Sequence, residues 1–286
     1  MKKILFIALA LLCAMPIMAQ EVKTHSVYDV NQSGDVTVED VTTVVDQVKK
    51  NVAAAQTQQY VTADDLSVLL KSILDDLKLI KDKLGIKDPY NGHDYVDLGL
   101  PSGLKWATCN VGADNPEDYG DYYAWGETET KSTYDWSTYK WNNGSDDTMT
   151  KYCKSSSYGT VDNKTTLEPE DDVAHVKWGG DWRMPTKAEL DELRNTNNCT
   201  WTWTTQGGKN GYKVTSKKNG NSIFLPAAGF RSDSVLLYAG TLGCFWSSSL
   251  YTDGSYDAFI LYFNSSYVDW GHYYRYNGLP VRPVCP

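Results

Sequence analysis

From Ala228 to Pro286 the chain contains no Lys, Glu, Gln or Met, although all four occur upstream. The stretch is crowded instead with Tyr, Ser, Asp, Gly, Asn and Phe, as in Tyr251–Asp257 and Tyr267–Gly278. Surfaces selected for contact have this composition: Tyr offers a large, rigid, amphipathic area at low entropic cost, and small polar residues adapt around it. The pattern also has a codon-level reading. An Asn codon varied at its adenines yields Tyr, Asp, Ser, His, Gly, Phe, Ile, Val or Cys, but never Lys, Glu, Gln, Met or Trp. The segment reads as such an output threaded between fixed scaffold positions.

All 10 tryptophans lie beyond residue 100. This shift in composition places the main boundary at the turn-rich Asp88–Gly92, giving segments 1–19, 20–87 and 88–286. Residues 1–19 have a basic start, a short apolar run and a small residue at the end, which predicts a secretory signal cleaved after Ala19. The apolar run is too short to span a bilayer well, and no later segment is apolar enough. Loss of Lys2 and Lys3 makes the chain more negative than its formal −9. Nucleic acid and anionic membrane surfaces are therefore not expected as partners, and export to the outside or the cell surface is expected. Cys109, Cys153, Cys199, Cys244 and Cys285 follow the signal. An oxidising compartment permits disulfides, an odd count leaves one thiol over, and Cys244, at the edge of the Tyr-rich stretch, is the candidate. His25, His93, His175 and His272 are scattered and suggest no zinc site.

Residues 29–40 carry oxygen ligands at the loop spacing of a calcium hand: Asp29, Asn31, Ser33 and Asp40, with the carbonyl of Asp35 and the turn glycine Gly34 between them. One Ca2+ is the expected cofactor, because that ion takes a ring of hard oxygens. Val41, Val44, Val45 and Val48 follow at helical spacing. Asp rather than Glu at the last ligand position, with this helix, resembles a dockerin repeat. Val36–Val45 aligns with Val61–Leu70, but Ala54, Gln56, Gln58 and Gln59 replace the ligands, so a second site is not expected. Leu70, Leu77 and Leu84 then fall on one heptad position with Ala63, and Leu66, Ile73 and Ile80 on the other. The helix over 63–84 reads either as a short oligomerising stalk or as an amphipathic helix packed on its own calcium hand.

Beyond His93 the chain reads as short strands and turns with few helices. Thr186 and Glu189 form a capping box that starts a helix with Leu190 and Leu193 facing a core. Gly220–Arg231, Cys244–Ser249 and Asp257–Phe263 read as strands. Val96–Cys109, Tyr123–Glu127, Trp182–Thr186, Phe245–Ser248 and Val281–Val284 together resemble the Fibrobacter succinogenes major paralogous domain of secreted Bacteroidetes proteins. The resemblance covers residues 93–286. It implies an α+β, C-type lectin-like head, preceded here by the small all-α dockerin-like segment. That fold is shared with formylglycine-generating enzymes and with the variable proteins of diversity-generating retroelements. In the latter, a segment like residues 243–284 displays diversified side chains.

Alternation within that segment separates scaffold from display. Phe245, Trp246, Leu261, Phe263, Trp270 and Val281 read as core. The displayed, ligand-binding set is Tyr251, Asp253, Tyr256, Asp257, Ile260, Tyr262, Tyr267, Asp269, Gly271, His272, Tyr273, Tyr274 and Tyr276, with Tyr273 near its centre. The competing account is that these tyrosines are ordinary packing. Catalysis is not expected: neither Cys244 nor Cys285 sits in a matching reactive-cysteine motif, and Glu168–Asp172 reads as a surface acidic run. The expected function is exported recognition of a protein or glycan. The alternative is a carbohydrate-binding or assembly component of a polysaccharide-handling complex, docking to a cohesin-like partner.

Overall fold

The antiparallel pairing of three long C-terminal strands organises the head. β8 (Gly243–Leu250), β9 (Asp257–Phe263) and β10 (Val268–Tyr274) form a sheet of order β10-β9-β8. These and all other coordinates come from a computed structural model that describes residues 90–286. The signal segment, the calcium ligands Asp29, Asn31, Ser33, Asp35 and Asp40, the second repeat and the heptad helix lie outside the described residues.

β9 is central and buried on both faces, so its sequence Asp-Ala-Phe-Ile-Leu-Tyr-Phe reads as a near-continuous apolar run. Period-two alternation sends Phe245, Leu261 and Phe263 to one side, where Leu190 and Leu193 pack. Cys244, Trp246, Ala258 and Ile260 go to the other side, against Trp125, Trp182 and Val281. The chain reverses between β9 and β10 at Asn264, whose side-chain oxygen accepts the backbone N–H groups of Ser266 and Tyr267.

Around this sheet are smaller ones. β1 (Tyr95–Asp97), β2 (Lys105–Ala107) and β11 (Val284–Cys285) pair in the order β1-β2-β11, bringing the chain's end beside the start of the described region. β3 (Cys199–Gln206), β4 (Lys209–Ser216) and β5 (Ser222–Pro226) form an antiparallel meander. Its first hairpin closes on Gly207 and Gly208, both left-handed at φ 52° and 79°, as a two-residue primed turn demands. β6 (Phe230–Ser232) and β7 (Val235–Leu237) make a short ribbon.

The described residues contain two α-helices, α1 (Val173–Trp178) and α2 (Lys187–Arg194). The expected capping box is present on α2: Thr186 accepts from Glu189 N, and the Glu189 carboxylate accepts from Thr186 N. Arg183 locks that carboxylate with paired contacts of 2.7 and 2.6 Å. None of the helices among the described residues is long and apolar enough to cross a membrane.

The acidic run before α1 is only in part the surface feature expected: Glu170 is exposed and Glu168 half-buried, but the two aspartates are sealed. Asp171 and Asp172 are 2% and 4% exposed. Asp172 caps α1 through Ala174 N and His175 N and also holds Met184 N. Asp171 takes the Tyr152 hydroxyl and the Lys151 ammonium, both at 2.6 Å. Glu168, Glu170 and Asp171 lie close enough to share a cation. Lys151 reaches all three acids, at 2.5 Å from Glu168 and 3.8 Å from Glu170, while Lys164 also pairs with Glu168 and Lys140 with Asp171, so three ammonium groups answer the three carboxylates.

The region from Thr108 to Glu168 has no helix or named strand, yet it is ordered by buried polar tips. Trp125 donates to Ser247 O and Trp246 to Tyr123 O, both at 2.8 Å. Tyr134 and Tyr139 donate to Tyr122 O and Trp125 O. A buried aromatic with a polar end thus both fills the core and satisfies loop backbone.

Candidate recognition face

β10 is an edge strand, and its alternation divides the Tyr-rich segment between two sides of the sheet. Val268, Trp270, His272 and Tyr274 share a side with their β9 partners Phe263, Leu261, Phe259 and Asp257. Asp269, Gly271 and Tyr273 share the other with Tyr262, Ile260 and Ala258.

On the first side an aromatic band runs across the surface. Trp270 meets Phe259 edge-on at 5.5 Å, and Phe259 meets Tyr251 at 5.3 Å. Tyr251 stacks on His272 at 3.9 Å and 7°. Two residues further along the strand, Tyr274 touches Tyr276, Tyr256 and Trp136, and Tyr256 meets Tyr158 at 5.1 Å. Trp270 is 39% and Tyr274 44% exposed, high for such large apolar rings. Lys187, from the first turn of α2, lies 4.4 Å from the Trp270 ring centroid and 5.5 Å from that of Phe259.

Beneath the band sits a polar pair. His272 Nδ1 is 2.6 Å from Asp257 Oδ2, while Asp257 Oδ1 is buried without a partner. Burial raises the pKa of this carboxyl, with the His272 contact acting in the opposite direction. Asp257 thus orients the imidazole that stacks on Tyr251.

Several of the thirteen residues read as displayed are so. Asp253, Tyr267, Asp269, His272 and Tyr274 are exposed, and Tyr251, Tyr256, Tyr262, Gly271 and Tyr276 are half-buried. Asp269 bonds Arg194 at 2.7 Å, tying the edge strand to α2. The others need correction. Ile260 is 1% exposed, because the side of β9 opposite Leu261 is covered by a second part of the core, and Asp257, on the Leu261 side, is 5% exposed and held by His272. Tyr273, read as a central contact residue, packs on the core and on Phe230 at 5.0 Å. Trp270, read as core, is 39% exposed because β10 is the edge strand of its sheet.

Cys244 is wholly buried, and burial pushes its thiol up to about 12. It is a free thiol, but so are Cys109, Cys153 and Cys199, so nothing marks it as the odd member of a disulfide set.

Sequence reasoning missed the residue that fixes the band from below. Arg275, inside the run Tyr-Tyr-Arg-Tyr, is 0% exposed. Its guanidinium donates to the Tyr139 hydroxyl and to the carbonyls of Tyr152, Ser255 and Lys151. It also lies 4.9 Å from the Trp125 ring centroid. Those partners are distant in sequence, so no local pattern announces them. Arg282 is a second buried guanidinium, bonded to Asn110 Oδ1 and to the carbonyls of Ala107, Thr108 and Phe224. Burial lowers its pKa to about 9, which still leaves it charged at neutral pH.

Comparison with known proteins returns no matching family model, no matching curated protein and no matching solved structure. The reading of this face therefore rests on its own geometry.

Proposed function

We propose that this chain is an exported, non-catalytic recognition protein whose C-type lectin-like head holds its ligand on the aromatic band of β10. One observation carries the reading. Trp270 and Tyr274 are 39% and 44% exposed, yet each belongs to a group of rings in mutual contact, Trp270 with Phe259, Tyr251 and His272, and Tyr274 with Tyr276, Tyr256 and Trp136. Scattered surface aromatics need no explanation, but a contiguous band of them has the composition of a contact surface. In this account a single Ca2+ on Asp29, Asn31, Ser33, Asp35 and Asp40 stiffens the N-terminal module that presents the head. The test is a printed panel of defined glycans and purified bacterial surface proteins, probed with the full chain and with Trp270→Ala/Tyr274→Ala. A feature bound by the parent and lost in the variant, with melting preserved, supports the proposal. Binding indifferent to the variant contradicts it.

Diversification of the face is a second reading, favoured by the division of residues 243–284 into positions with and without room. A side chain at Gly243 would strike Phe263 at 2.1 Å, and one at Gly278 would strike Tyr134 at 2.5 Å. At Gly271 the nearest neighbour is the half-buried Tyr262 ring at 3.2 Å, which can shift. Sequencing codons 243–284 in many related isolates tests this. Variation at Tyr251, Tyr267, Asp269, His272 and Tyr274 that spares Gly243, Ile260, Arg275 and Gly278 is expected, together with a near-copy carrying Asn codons beside a reverse transcriptase gene. Uniform codons and no such copy would remove diversification.

A further inference from the structure

A shallow groove of about 350 Å3 opens beside the Phe259 end of the band. Its lining combines Phe259, the hydroxyls of Thr165, Thr166 and Thr252, and the Lys187–Asp191 ion pair. Two other lining hydroxyls are already engaged: Ser249 Oγ accepts Lys187 N, and Thr186 Oγ1 accepts Glu189 N. Among the described residues, the hydroxyls of Thr165, Thr166 and Thr252 form no protein hydrogen bond. Lys187 gives one contact of 2.5 Å to Asp191 and rests over the Trp270 and Phe259 rings, so donors of its ammonium remain for a ligand.

This chemistry selects among ligands. The ion pair brings no net charge, so neither an anionic nor a cationic group is favoured. An aromatic wall wants an apolar surface, and hydroxyls around it want a partner that both donates and accepts. A pyranose has both properties, with C–H groups on one face and hydroxyls on its rim. The volume lies near the lower end of small-molecule sites, roughly 300 Å3 upward, which suits one or two sugar rings. We propose that this groove is a subsite for a neutral hexopyranose, with its C–H face toward Phe259, its hydroxyls toward Thr252, Thr166 and Lys187, and Trp270 beside it in contact with Phe259 and Lys187. The inference rests on the recognition reading and names its ligand class as carbohydrate.

The test uses the full chain, labelled with nitrogen-15, and three probes: the methyl β-pyranosides of glucose, galactose and mannose. The expected result is a saturable shift of the Trp270 indole N–H with at least one probe, assigned by its disappearance in Trp270→Phe, and saturation transfer to the ring C–H protons. Phe259→Leu and Thr252→Val should each weaken that binding by about fivefold or more, which is about 1 kcal/mol. Val176→Ala, on the exposed side of α1, should leave it unchanged. No saturable shift with any probe, or shifts untouched by Thr252→Val, would overturn the subsite. A protein on the panel whose binding is lost with Tyr274→Ala but not with Thr252→Val would also overturn it, while leaving the recognition reading standing. The recognition reading fails separately, if nothing on the panel responds to Tyr274→Ala.

Discussion

At the scale of single residues, the Tyr-rich segment contains side chains of opposite duty in adjacent positions. Tyr274 is exposed, Arg275 is sealed and Tyr276 is half-buried. Removing Arg275 strands the carbonyls of Lys151, Tyr152 and Ser255 in a dry site, so Arg275→Ala should cost about 3 kcal/mol or more in chemical unfolding. Tyr274→Ala should cost about 1 kcal/mol, well below Arg275→Ala, because its ring is 44% exposed and its loss leaves no buried polar group unpaired. Equal losses for the two variants would contradict the division. Asp257 adds a pH dependence. A carboxyl whose pKa is raised by folding holds its proton more tightly in the folded state. Its contribution is therefore complete below the unfolded value of about 3.9 and is lost as pH rises through the folded one. The unfolding free energy of the parent minus that of Asp257→Asn should fall as pH climbs from about 4 toward neutrality. A flat difference would show that burial does not perturb this carboxyl.

At the scale of elements, α2 and β10 position the face together. The capping box and the Arg183–Glu189 pair fix the start of α2, which places Lys187 over Phe259 and Trp270. Thr186→Ala should cost about 1 kcal/mol of stability and loosen Lys187, which a melting curve and the Trp270 indole resonance would report. Gly243→Ala should abolish folding through its clash with Phe263, whereas Gly271→Ser should be tolerated. The capping box, the two leucines facing the core and the C-terminal strands were legible because helix starts and period-two runs are local patterns. The sides of β9 and β10 were less legible. Alternation assigned Leu261 and Phe263 to one side correctly, but it cannot say whether the opposite side is wet. Ile260 therefore went to the surface, and Trp270, on an edge strand, went to the core. Lys187, Phe259 and Trp136 enter the face only through tertiary contacts that no spacing encodes.

At the scale of the whole molecule, the motif segments read from the sequence meet physically. Tyr123–Glu127 and Phe245–Ser248 exchange indole hydrogen bonds, and Arg183 pairs with Val284 through two backbone contacts. Such long-range closure gives a frame that carries the edge strand β10. The proposed calcium module adds its own expectation: excess Ca2+ should raise the melting temperature of the full chain, chelator should lower it, and Asp29→Ala should abolish the difference. If the exposed aromatic rings of β10 are the contact surface, the binding panel should respond to their removal. At least one glycan or surface protein should be bound by the parent chain and weakened more than about tenfold, roughly 1.4 kcal/mol, in Trp270→Ala/Tyr274→Ala at unchanged fold. A bound partner equally well held by the double variant would contradict it.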